Sequence, residues 1–312
     1  MKRIDQLQWG LVAVYAVVTF VVTAFPGVIP RPVLIPLLTL VPVAFALLHG
    51  ARRYGWAGIL VFLVVCLAVS NAFENLSIVT GFPFGHYHYT GNIGPKLFLV
   101  PVLIGPAYFG IGYVAWTLGT VLAGDVGPRG RAFTSFAVPL IASFVMVAWD
   151  LGMDPTNSTI RQNWIWQQGG GYFGVPLTNY LGWSLTVYVF YQLFALYLRF
   201  RAPNGDRPAL SRSYFAQAAA LYGVIGLGIV LAYFVGGTNT AITDAAGVVW
   251  QSRSIAEAEA TVSVYTMLFM TALAAVRVVQ GGAAVVPTPT TATVNVEPSM
   301  AAHSAAALPG RA

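Results

Sequence analysis

The chain has 312 residues, 57% of them hydrophobic and 8% charged, with a mean hydropathy of +0.71. A soluble domain carries about a quarter charged residues, so the 16 Lys+Arg and 10 Asp+Glu here cannot coat a water-facing surface, which excludes an ordinary cytosolic enzyme. The net charge of +6 reads as loop-charge bias around membrane spans, not as a nucleic-acid surface, and the single cysteine, Cys66, allows neither a disulfide framework nor a cysteine metal site.

A helix needs about 20 apolar residues to cross roughly 30 Å of hydrocarbon. Eight stretches qualify: 9–25, 33–49, 56–75, 97–123, 133–150, 177–198, 213–234 and 259–278. The expected fold is therefore all-α, a polytopic membrane bundle of about eight transmembrane helices. Met1-Lys2-Arg3 before the first stretch resembles the start of a signal peptide. No small-x-small cleavage site follows before Pro26, however, so the first helix is expected to be retained. Pro36 and Pro42 in the second stretch, and Pro101 and Pro106 in the fourth, predict kinks. The turns before Pro106 form a candidate separate segment. An integral membrane domain over 1–279 is followed at 280–312 by an Ala-, Thr-, Pro-, Gly- and Ser-rich stretch, read as a disordered cytoplasmic tail. Neither an inverted repeat nor a strand is apparent.

The charges orient the bundle. With eight spans and the N-terminus inside, the inner segments hold Lys2, Arg3, Arg52, Arg53, Arg129, Arg131, Arg199, Arg201, Arg207, Arg212, Arg277 and Arg311. The outer ones hold Arg31, Lys96, Arg161 and Arg253. A bias of this kind in every loop follows the positive-inside rule and predicts cytoplasmic N- and C-termini.

Two outer loops stand apart. Residues 76–96 read LSIVTGFPFGHYHYTGNIGPK and residues 151–176 read LGMDPTNSTIRQNWIWQQGGGYFGVP. An interfacial aromatic belt accounts for their Trp and Tyr, but not for the carboxylates that lead into both. Glu74 lies near the outer end of the third span, and Asp150 closes the fifth with Asp154 four residues on. An ionisable residue within a span is a functional candidate because its insertion is costly. Pro155 disfavours a helical Asp154, which leaves that residue ending the helix or opening a turn. His86 and His88 alternate as a pair on one side of a strand would, yet two ligands are too few for a metal site, and hydrogen bonding or headgroup contact is the better use. His49 is read as interfacial. Glu257 and Glu259 are read as acids at the N-terminus of the last helix, favoured there by its dipole.

At these loops the chain resembles a membrane family of carotenoid biosynthesis proteins, whose characterised members are carotenoid 1′,2′-hydratases acting on γ-carotene-type or bisanhydrobacterioruberin-type substrates. The resemblance rests on Glu74, Thr80-Gly81-x-Pro83-Phe84-Gly85-x-Tyr87-x-Tyr89, Val100-Pro101 and Asp150-Leu151-x-x-Asp154-Pro155. It continues through Trp164-x-Trp166 and Tyr172-Phe173-Gly174-Val175-Pro176-x-x-Asn179 to Gly182-Trp183. It implies hydration of the terminal 1,2 double bond of a linear (ψ) end group to a tertiary alcohol. Such a reaction needs a proton donor, for which Glu74, Asp150 and Asp154 are the candidates. Aromatic rings would face the cation, with Tyr87, Tyr89, Trp164, Trp166, Tyr172 and Phe173 as candidates, His86 as a further substrate contact and Asn179 as a water acceptor. It implies no cofactor and no metal. The implied partners are the carotenoid, water, membrane lipids and other carotenoid enzymes. The expected place is a bacterial plasma membrane, with the site near the extracytoplasmic interface. With 10 Asp+Glu the chain lacks the acidic surface of a salt-adapted protein, which favours γ-carotene or lycopene over a haloarchaeal precursor. The alternatives left open are an end-group cyclase or isomerase, and a non-catalytic carotenoid or lipid binder.

Overall fold

The structure is a computed structural model that describes residues 2–128, 130–201 and 210–281; most of the predicted tail lies outside the described residues. Helix α1 spans Lys2–Ala24 and α2 Arg31–Thr80. At 1.5 Å per residue α2 is about 75 Å long, more than twice the hydrocarbon thickness. It is really two legs, broken at Gly55, where φ is 69° and ψ 167°. The predicted loop at 50–55 is thus a helical corner. Its arginines are tied down by polar partners, with Arg53 donating to Thr120 Oγ1 at 2.8 Å and to Asp125 at 2.9 Å. Pro36 and Pro42 do not break the first leg.

Three short strands follow, β1 (Tyr87–Tyr89), β2 (Lys96–Leu97) and β3 (Val100–Pro101). The fourth predicted span therefore starts later than expected. Its first residues pair as the β2–β3 hairpin, and helix α3 begins at Ile104 and runs to Ala123. Helix α3 packs against α2, and its Tyr108, Tyr113 and Trp116 are all fully buried. A helix enclosed by protein can carry polar-tipped aromatics that a lipid-facing one could not.

Helix α4 spans Thr134–Leu151 and continues into a π turn at Thr156–Ile160. After β4 (Trp164–Trp166) come α5 (Leu177–Phe200), α6 (Arg212–Val235), the hairpin β5 (Ala241–Thr243) and β6 (Val249–Gln251), then α7 (Ser252–Ser263). A second π turn, Val264–Leu268, joins α7 to α8 (Phe269–Val279). Among the described residues, six helical segments are long and apolar enough to cross a membrane, the two-legged α2 included. The result is an all-α membrane bundle. Two sequence readings need correcting. Because α7 begins at Ser252, Glu257 and Glu259 lie well inside it and not in its first turn. His49 is not interfacial but fully buried, with Nδ1 2.7 Å from the Tyr113 hydroxyl and Nε2 2.8 Å from the Tyr214 carbonyl.

The strands, which alternation did not reveal, matter most for the site. β1 pairs antiparallel with β4, setting Tyr87 opposite Trp166 and Tyr89 opposite Trp164. This two-stranded sheet joins the two loops that are far apart in sequence.

Candidate functional site

Helix α2 carries Glu74 one and a half turns before its end, where Gly81 at φ 81° caps the helix. The chain then turns back into β1. Alternation along β1 sends Tyr87 and Tyr89 inward and leaves His88 exposed. Both inward tyrosines reach Glu74. The Tyr87 hydroxyl donates to Oε2, the Tyr89 hydroxyl donates to the same oxygen at 2.9 Å, and Tyr108 from α3 donates to Oε1 at 2.8 Å. Burial, and then the nearby Glu74 carboxylate, push the Tyr87 and Tyr89 hydroxyls well above the ordinary phenol range. They therefore remain protonated donors. Glu74 itself is 3% exposed.

The second carboxylate group comes from the end of α4. The chain keeps a helical course through Asp154 and Pro155 into the π turn, so Asp154 does not leave the helix as the following proline suggested. Asp150 and Asp154 thus share a face. Asn179, in the first turn of α5, bridges them: its amide donates to Asp150 Oδ2 at 2.9 Å and to Asp154 Oδ2 at 2.7 Å. The Trp164 indole donates to Asp154 Oδ1 at 2.7 Å. Gly182 lets the turn after α2 press against α5, since a Cβ there would stand 2.8 Å from the Pro83 carbonyl oxygen.

All three carboxylates line one cavity of about 580 Å³. So do Tyr87, Tyr89, Trp164, Trp166 and Asn179. His86, Tyr172 and Phe173 do not line it; His86 packs beside Gly81, and Phe173 lies against Trp250 at 5.4 Å between ring centres. Four lining aromatics, Tyr15, Tyr108, Trp149 and Trp183, come from helices and carried no signal in the loops. Tyr108 stacks on Trp183 at 4.3 Å, and Trp149 meets Trp183 edge-on at 6.0 Å. Of these, only Trp183 belonged to a recognised pattern. On its α1–α2 flank the wall is mostly apolar, formed by residues such as Tyr15 and Val22 of α1 and Leu34, Ile35 and Leu38 of α2, with Arg31 and Thr39 among them. Among the described residues, no group of three or more His, Cys, Asp or Glu is placed to hold a metal ion.

A buried acid pair, a third carboxylate caged by phenols and a wall of aromatic faces suit proton transfer to an apolar molecule. A family model for carotenoid biosynthesis proteins matches residues 33–243. The chain belongs to this family. The match takes in both loops, all three carboxylates and Asn179, and ends before α7. A curated relative, the bisanhydrobacterioruberin hydratase of Haloarcula japonica, is 31% identical over 144 residues. That alignment covers 46% of this chain and 45% of the relative, so the chain spans about half the length of the protein it matches. No solved structure matches. Family and helices together make this an integral membrane protein of carotenoid biosynthesis.

Proposed function

We propose that the protein hydrates the terminal 1,2 double bond of a linear carotenoid end group without a cofactor, with Asp150 as the proton donor. The observation that carries this reading is the unequal hydrogen bonding of three carboxylates in one cavity. Bonds donated to a carboxylate favour its ionised form. Glu74 receives three, the Asp154 carboxylate two and Asp150 one. Two carboxylates held by one amide share a proton most readily, and Asp150 is the member with the fewest donors.

Asp150 delivers its proton to C2 of the end group, which leaves the tertiary cation at C1. Water adds its oxygen at C1 and loses a proton to the Asp150–Asp154 pair, so alkene and water give one tertiary alcohol. The three phenol hydroxyls favour the ionised form of Glu74, which would offset the cation, as would the aromatic faces of Tyr89, Trp164 and Trp183. A desolvated cation–π contact contributes about 2 kcal/mol. The apolar wall between α1 and the first leg of α2 gives the polyene a way in from the lipid. The reading puts the site on the outer side of a bacterial plasma membrane, which the charge bias supports. The relative's name supports hydration, and the reading takes γ-carotene or lycopene as the substrate class.

Expression in a lycopene-accumulating bacterium tests this directly. Hydration adds the mass of one water per end, whereas cyclisation or isomerisation leaves the mass unchanged. Conversion that persists in Asp150→Asn, Asp154→Asn and Glu74→Gln alike would overturn the acid mechanism.

A further inference from the structure

Glu259 sits on α7, beyond the family match, and does not line the cavity, yet it is 5% exposed. Both of its carboxylate oxygens are engaged by one residue. Oε1 accepts the Thr156 backbone N–H at 2.7 Å and Oε2 accepts the Thr156 hydroxyl at 2.6 Å. Thr156 opens the π turn two residues after Asp154, with Pro155 between them. In a continued α-helix the Thr156 N–H would bond four residues back. Here it bonds to a carboxylate from another helix, so α7 helps to fix where the turn lies.

Met153 and Asp154 before Thr156 and Asn157 after it line the cavity. Asp154 meets Asn179 and Trp164 there, and its carbonyl accepts the Ser158 hydroxyl at 2.9 Å. Asn157 lines the cavity and accepts from Asn163 at 2.9 Å. The Thr156 carbonyl accepts Arg161 N–H at 2.9 Å and closes the π turn.

We infer that Glu259 is a positioning residue, clamping Thr156 so that Asp154 is presented to Asn179 and Trp164. Two short hydrogen bonds to one residue, one to its backbone and one to its side chain, resist both sliding and rotation. The kinetic consequence rests on the hydratase reading above.

The test uses full-length protein in detergent with lycopene, comparing Glu259→Ala, Glu259→Gln, Thr156→Val and, as a control on the same helix, Ser263→Ala. Ser263 is buried and bonds Gly226 of α6 at 3.0 Å, so its loss disturbs α7 packing without touching Thr156. A misplacement of about 1 Å costs on the order of 10²-fold in rate. Glu259→Ala should therefore lower kcat by about that factor with KM unchanged. Glu259→Gln, whose amide oxygen still accepts the N–H, should recover much of it, and Ser263→Ala should change neither constant. A Glu259→Ala kcat close to wild type, a loss confined to KM, or an equal kcat loss in Ser263→Ala overturns the proposal. If Glu259→Ala fails to fold, Thr156→Val decides, with a kcat loss of about tenfold for one hydrogen bond expected and an unchanged kcat contradicting it. If wild-type protein converts no linear carotenoid, the hydratase reading falls and amide exchange still decides the clamp. Faster exchange confined to 152–161 in Glu259→Ala supports it, and unaltered exchange there overturns it.

Discussion

Asp150 accepts one hydrogen bond, from Asn179, whereas three phenol hydroxyls donate to Glu74. Under the proposed mechanism that difference gives separate work to chemically similar groups. Removing the acid at Asp150 should cost about 10²–10⁴-fold in conversion. Asp150→Asn should therefore insert and still bind pigment, yet extracts of its host should contain unreacted substrate. The cage around Glu74 is a matter of stability as well. Tyr108→Phe deletes a buried bond to a charged group and should lower unfolding stability by about 1.5–3 kcal/mol, read from thermal unfolding in detergent. The carboxylates were legible in the chain because ionisable residues in spans are rare and costly. Tyr108 and Trp149 were not, because an aromatic on an apolar helix looks like core until folding brings it against Glu74 or Trp183. Glu259 was misread for a related reason: a dipole argument depends on where the helix starts, and α7 starts earlier than its apolar run.

Among the elements, most spans follow the hydropathy closely, since long apolar runs leave little choice of structure. Hydropathy gives no account of what joins them. The 50–55 segment looked like a basic loop and is a helical corner turning on Gly55, a backbone conformation close to one that only glycine adopts readily. A Cβ at Gly55 would meet nothing within 4 Å, so Gly55→Ala isolates the backbone cost. It should destabilise the protein by about 1–3 kcal/mol, seen as a lower thermal midpoint, with the candidate site otherwise unchanged. The β1–β4 pairing is three residues long and joins segments more than 70 residues apart, so no local period could announce it. The pairing of Tyr87 with Trp166 and of Tyr89 with Trp164 is what places both loops on one cavity.

For the whole molecule, the charge asymmetry and the cavity lead to linked expectations. Reporter fusions at the N-terminus and in the 124–132 loop should report the cytoplasmic side, and fusions in the 81–96 loop the opposite one. The cavity combines an acid end with an apolar flank between α1 and α2, which suits a long polyene reacting at one end while the rest stays in lipid. Hydration changes the mass of such a molecule; binding, cyclisation and isomerisation do not. The most direct measurement is therefore the pigment mass from a lycopene-accumulating host expressing either wild-type protein or Asp150→Asn. The expected result is pigment heavier by one or two waters with wild type and unaltered lycopene with Asp150→Asn. Wild-type pigment of unchanged mass, or hydrated pigment from Asp150→Asn at the wild-type level, would contradict it.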